Sequence, residues 1–210
     1  RPIRLWLAGD STMSIKQTRA YPETGWGMPF VYFWNSSVTV ENHAMNGRST
    51  RTFISEGRWQ TVADGLREGD YVFIQFGHND GSRDKTDRYT PPDDYRANLT
   101  RFITEARARK TTPILLTPVS RRSFDGEGRT RPTHAEYTPL VLQVAAEQKV
   151  TCIDLDALSR ALYQQLGSEP SKLLFTHLKP GEIELTMQEI EEFAGDYRPR
   201  MLQNGQVFEF

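Results

Sequence analysis

A serine, a glycine and an asparagine at the ends of apolar runs are the residues of this chain best placed to do chemistry. Ser11 stands in Gly9-Asp10-Ser11-Thr12-Met13, directly after the apolar run Ile3 to Ala8. A hydroxyl at such a strand-to-turn junction can stand open to substrate, and the turn can aim backbone N–H groups at an oxyanion. Gly47, in Asn46-Gly47-Arg48-Ser49, can bring its N–H close to a ligand because it has no Cβ. Asn79, in Gly77-His78-Asn79-Asp80, offers a side-chain amide donor. A hydroxyl nucleophile with converging N–H donors is the minimum set for acyl transfer. Each loop alone is an ordinary turn; their order after successive strands gives them weight.

The elements that must position these loops are legible as patterns. Strands are expected at Ile3 to Ala8, Val38 to Glu41, Tyr71 to Phe76, Pro113 to Thr117 and Val150 to Leu155. A helix is expected from Thr90-Pro91-Pro92-Asp93, with Thr90 as its N-cap and Tyr95, Leu99, Phe102, Ile103 and Ala106 on one face. Thr133 and Glu136 read as a capping box for a second helix, with Tyr137, Leu140, Val141, Val144 and Ala145 on its buried side. Leu155, Leu158, Leu162 and Leu166 mark a third, stopped by Gly167. Apolar strands alternating with amphipathic helices predict an α/β fold with a parallel sheet covered on both faces. Its polar loops lie at the carboxyl ends of the strands. The tail breaks this alternation: Thr186 to Phe193 suits a short helix, and Asn204-Gly205 a hairpin turn.

Composition sets the outer bounds. The 210 residues suit one medium domain, with room for a small appendage. A net charge of -1 gives no sign of a nucleic-acid or acidic-membrane partner. The single cysteine, Cys152, excludes an internal disulfide and a cysteine-based metal cluster, and its apolar surroundings suit a buried thiol. No apolar stretch approaches the ~20 residues of a membrane span. The chain begins at Arg1, which is compatible with removal of a signal peptide.

These residues carry a family resemblance. Gly9 to Met13, Asn46 to Ser49 and Gly77 to Asp80 resemble the first three blocks of the SGNH (GDSL-type) hydrolases. Tyr21-Pro22-Glu23-Thr24-Gly25-Trp26-Gly27, Arg48 to Phe53, Thr117 to Arg122 and His177 to Gly181 resemble one branch, the rhamnogalacturonan acetylesterases of carbohydrate esterase family twelve. The resemblance spans residues 3 to 182. It implies a three-layer, flavodoxin-like SGNH fold with a five-stranded parallel sheet and the removal of acetyl groups from pectic polysaccharide. It implies Ser11 as nucleophile, and an oxyanion hole from the N–H groups of Ser11 and Gly47 with the Asn79 side chain. Asp10 would brace the turn, and Arg48 and His78 become candidates for holding substrate. No metal or organic cofactor is implied, the partner is an acetylated polysaccharide or oligosaccharide, and the location is secreted or periplasmic.

The general base is where this chain departs from the pattern. A serine hydroxyl needs an imidazole, which the family supplies from a late Asp-x-x-His segment. Of the four histidines, His43 is expected to pack near the site, His78 to be a structural loop residue and His134 to serve a helix start. His177 is the last, but Leu174 and not an aspartate stands three residues before it. The chain runs from Glu182 straight into Ile183-Glu184-Leu185-Thr186, so the block expected there is absent. A segment near residue 182 is therefore expected to be missing, deleted or replaced by the start of another domain. This divides the chain into a hydrolase domain over 1–182 and a divergent tail over 183–210.

Two other functions compete. An SGNH esterase for another acyl ester would use the aromatic segment Tyr21 to Trp34 as an acyl pocket. A non-catalytic glycan-binding domain would account for the absent Asp-x-x-His block. Arg48, Arg51, Arg121 and Arg122 suit either bidentate binding of uronate carboxylates or internal pairing.

Overall fold

A computed structural model describes residues 2–20 and 22–175. Residues 2–20 and 22–171 belong to one compact unit, Arg1–Ser171, and the rest to a second, Lys172–Phe210. His177 and the tail, with the helix and hairpin expected there, lie outside the described residues.

Five strands form one parallel sheet: β1 (Ile3–Gly9), β2 (Val38–Asn42), β3 (Tyr71–Gln75), β4 (Thr112–Leu116) and β5 (Thr151–Ile153), in the order β2-β1-β3-β4-β5. β1 lies between β2 and β3, so the loops that follow these three strands leave the sheet side by side. The register is tight there: Leu7 pairs with Asn42 on one side and Phe73 on the other, and Gly9 pairs with Gln75.

Side chains alternate across the sheet, as strand geometry requires. Trp6, Ala8, Val72, Ile74 and Leu115 enter the larger core. There they meet helices α1 (Thr50–Ser55), α2 (Arg58–Gly65), α3 (Pro92–Ala108) and α4 (Tyr137–Gln148). Leu5, Leu7, Phe73 and Leu116 point to the opposite face, with Trp26 and Phe30 packed against them. The expected helix faces hold: Tyr95, Leu99, Phe102, Ile103 and Ala106 are buried on α3, and Tyr137, Val141, Val144 and Ala145 on α4.

Three local expectations are corrected. Thr90 is not the N-cap of α3, which begins at Pro92 with Pro91 at the cap position. Instead, the Thr90 N–H donates to the Asp80 carbonyl and its own carbonyl accepts from Tyr137 Oη. Thr133 does not form a capping box with Glu136, because α4 starts only at Tyr137. Its hydroxyl accepts from the Arg121 N–H, a contact that brings two loops together. The fifth strand is shorter than expected: Asp154 leaves it to cap α5 (Leu155–Leu166), accepting from the Ala157 N–H. α5 forms where its leucine spacing places it and stops at Gly167. Its buried residues are Asp156 and Tyr163, however, while Leu158 and Leu162 are 60% and 46% exposed. Among the described residues no helix is long and apolar enough to cross a membrane.

Candidate functional site

The Ser11 turn is held from below by a buried carboxylate. Asp10 is fully buried, and its Oδ1 accepts from both the N–H and the hydroxyl of Thr12, at 2.9 and 2.8 Å. Its carbonyl accepts from the N–H groups of Met13 and Ser14, which closes the turn. Burial pushes the Asp10 carboxyl up to about 6, against the lowering effect of these bonds. Asp10 thus braces the turn. Ser11 itself is half-buried, next to this fixed frame.

A second layer fixes the turn from the side. Gln75, at the end of β3, is fully buried, donates to Thr12 Oγ1 at 2.6 Å and accepts from Trp26 Nε1 at 2.5 Å. The Trp26 and Gly27 N–H groups donate to the carbonyls of Thr12 and Met13. This backbone-to-backbone contact requires glycine at position 25, where a Cβ would overlap the Ser14 carbonyl oxygen.

The second loop follows β2 and is bonded to the first. Asn42 Nδ2 donates to the Met13 carbonyl at 3.0 Å, and the Met45 N–H to the Gly9 carbonyl at 3.0 Å. Gly47 has φ +75°, the left-handed region that favours glycine. Immediately after it, Ser49 caps α1 in a reciprocal box with Thr52.

The third loop follows β3. Asn79 Nδ2 donates to the Arg48 carbonyl at 3.0 Å, which ties the asparagine to the residue beside Gly47. Asp80, fully buried, accepts at Oδ1 from the Thr50 N–H and hydroxyl, and burial pushes its carboxyl up to about 7. The structure therefore brings Ser11, Gly47 and Asn79 onto three neighbouring loops locked together by short polar contacts.

The other candidates fall elsewhere. The Arg48 guanidinium is paired with Glu56 at 3.0 Å. Arg51 donates to the Thr86 carbonyl, and Arg122 to Ser168 and Ser171. Among the described residues the Arg121 guanidinium makes a long contact, 3.5 Å, with the His78 carbonyl. The His78 ring packs edge-on against His134, with centroids 4.3 Å apart, beside a cavity of about 190 Å³ that Arg121 also lines. Burial pulls these two imidazoles down to about 4 and about 3, so both are neutral near pH 7. His43 stacks on Trp6, centroids 5.1 Å apart, and burial lowers it as well. Among the described residues no imidazole is hydrogen-bonded to the Ser11 hydroxyl. Cys152 is half-buried rather than enclosed, and desolvation raises its thiol to about 11.

Sequence reasoning missed Lys16, Ser14, Gln75 and Asp80. Lys16 is nearly buried, and its ammonium reaches the Ser11 carbonyl and Asn46 Oδ1. The available signal was a charged residue five positions after the serine. A lysine in a turn is ordinarily solvated, so nothing local marked it as buried.

A parallel α/β sheet with a serine turn after its first-in-sequence strand, a glycine loop after the second and an asparagine loop after the third defines the class of SGNH-type ester hydrolases. A family model, GDSL-like lipase/acylhydrolase, matches residues 7–181. The chain belongs to this family. It is 41% identical over 182 residues to the rhamnogalacturonan acetylesterase RhgT of Bacillus subtilis, covering 87% of this chain and 77% of that one. It is 36% identical over 166 residues to the probable rhamnogalacturonan acetylesterase YesY of the same organism, covering 79% and 76%. The crystal structure of YxiM from Bacillus subtilis superposes with a TM-score of 0.76 at 25% identity, over 84% of this chain and 50% of that chain.

Proposed function

We propose that this protein removes acetyl groups from pectic polysaccharide of the rhamnogalacturonan type. The observation that carries the reading is the mutual locking of the Ser11, Gly47 and Asn79 loops, seen in the Asn79 bond to the Arg48 carbonyl. The 41% identity to a rhamnogalacturonan acetylesterase supports the choice of substrate.

In this reading the Ser11 oxygen adds to the acetyl carbonyl as its proton passes to a base. The N–H groups of Ser11 and Gly47, with Asn79 Nδ2, hold the resulting oxyanion. The intermediate collapses with loss of the sugar alkoxide, which takes up the proton and leaves as an alcohol. Water then hydrolyses the acetyl-Ser11 ester to acetate. Among the described residues His43 stacks on Trp6 and His78 packs against His134, so none of these three imidazoles supplies that base. A polymeric substrate places the protein outside the cytoplasmic membrane, secreted or periplasmic.

The test is acetate release from acetylated rhamnogalacturonan, beside esters of longer acyl chains. Ser11→Ala is expected to lower the rate by about 10³-fold or more. Faster turnover of long acyl esters would replace the pectic reading with a general esterase. A second reading, a glycan-binding domain without catalysis, is favoured by the absent Asp-x-x-His block and by the lack, among the described residues, of an imidazole bonded to the Ser11 hydroxyl. Its signature is saturable glycan binding with no labelling by a serine-directed acyl probe.

A further inference from the structure

Behind the Ser11 turn lies a lysine whose surroundings are those of a structural ion, not a surface charge. The Lys16 side chain is 3% exposed. Its ammonium donates to the Ser11 carbonyl, to Asn46 Oδ1 at 2.7 Å and to Ser14 Oγ at 3.2 Å, and it pairs with Glu23 Oε1 at 3.2 Å. Ser14 Oγ in turn donates to the same Asn46 oxygen at 2.5 Å. Taking an ammonium out of water is costly unless its donors are all used and a counter-charge is near. Here four oxygens surround it, and Glu23 supplies the charge.

Two of these contacts fall on the acyl-transfer loops. The peptide group that follows Ser11 is gripped at both ends: its carbonyl by Lys16, and its N–H, that of Thr12, by the Asp10 carboxylate. The orientation of this peptide sets the direction in which the Ser11 side chain leaves the turn. Asn46 immediately precedes Gly47, so holding its side chain also holds the peptide that presents the Gly47 N–H.

We propose that Lys16, neutralised by Glu23, is a positioning residue that fixes the distance between the Ser11 hydroxyl and the Gly47 N–H. This rests on the reading of Ser11 as nucleophile and Gly47 as oxyanion donor. It adds the segment carrying Glu23 to the three loops that set the geometry of acyl transfer. Because Lys16 grips the acyl-transfer loops rather than any sugar contact, its removal must act alike on every ester the protein hydrolyses.

The experiment compares wild-type, Lys16→Met, Lys16→Arg, Ser11→Ala and the Ser11→Ala/Lys16→Met double variant. Each is assayed on acetylated rhamnogalacturonan and on a small aryl acetate. Lys16→Met is expected to lower kcat by about 10–100-fold on both esters with KM changed less than about twofold, the size of effect that a misplacement near 1 Å produces. Labelling of Ser11 by a serine-directed phosphonate should slow by a similar factor. Lys16→Arg should recover part of the rate, and Lys16→Met should change nothing further in the Ser11→Ala background. Thermal melts establish the folded fraction, to which rates are normalised. The proposal is overturned if folded Lys16→Met keeps wild-type kcat and labelling, or if only KM on the polysaccharide changes. Should Lys16→Met fail to fold, Glu23→Gln carries the test, with a smaller loss of kcat expected and an unchanged kcat overturning the proposal. A Ser11→Ala variant as active as wild-type would instead remove the nucleophile assignment on which the proposal stands.

Discussion

Asp80 Oδ1 accepts two hydrogen bonds from Thr50, at 2.9 Å from its N–H and 2.6 Å from its hydroxyl. One buried carboxylate oxygen thus joins the loop that carries Asn79 to the first turn of α1, just past Gly47. The hydroxyl of Thr50 also accepts from Asn98 Nδ2 at 3.0 Å, which anchors the junction to α3.

The ionisation of Asp80 gives a stability prediction with a definite sign. Burial raises its folded pKa from 3.8 to about 7, so between these values the folded state holds a proton that the unfolded chain has released. Stability therefore falls as pH rises through this window and levels off above it. Asp10, raised to about 6, adds to the slope in the lower part of the window. Asp80→Asn cannot ionise and should flatten the dependence. Relative to wild-type it should gain on the order of 1–3 kcal/mol in going from pH 4.5 to pH 8. Urea denaturation at the two pH values measures this, and parallel pH profiles for the two chains would refute it.

Gln75 joins Trp26 to the Ser11 turn, and its loss should be felt as an unmet donor. Gln75→Leu keeps the volume but leaves Trp26 Nε1–H without its buried acceptor and Thr12 Oγ1 without its donor. A cost of about 2–4 kcal/mol is expected. Trp26→Phe in the Gln75→Leu background should restore part of it, because the stranded N–H is then gone. Additive effects of the two substitutions in denaturant melts would argue against this coupling.

Gly25→Ala tests the backbone contact that holds the turn from the side. Its Cβ would overlap the Ser14 carbonyl oxygen and lie 2.8 Å from the Ser14 nitrogen, both of them backbone atoms without rotamers to yield. A destabilisation of about 1–3 kcal/mol is expected, together with a loss of kcat as residues 11–14 shift. A variant with wild-type melting temperature and activity would show that the segment can move aside at no cost.

The sheet and the long helices were readable because each rests on a local period. Alternate residues of β1 and β3 face opposite sides, and the α3 and α4 patterns repeat at helical spacing, so position along the chain already determines burial. The three loops were readable for the same reason, as polar breaks after apolar runs. The helix starts at Thr90 and Thr133 were misplaced because the hydroxyl and backbone groups found partners in distant loops, which no local cap pattern encodes. The leucines of α5 mark a helix correctly but not its buried side, since a period says that a face exists and not what it meets.

The sequence by itself therefore determined the α/β alternation, the family blocks and the order Ser11, Gly47, Asn79. The tertiary structure alone decided that Lys16 would lie behind the Ser11 turn with Glu23, that Asp80 would be shut away on Thr50, and that His43 would stack on Trp6 and His78 pack against His134. The physical reason is desolvation. Whether a lysine, an aspartate or an imidazole is a solvated surface group or a fixed part of a site depends on which distant atoms exclude water from it, and folding alone brings those atoms together.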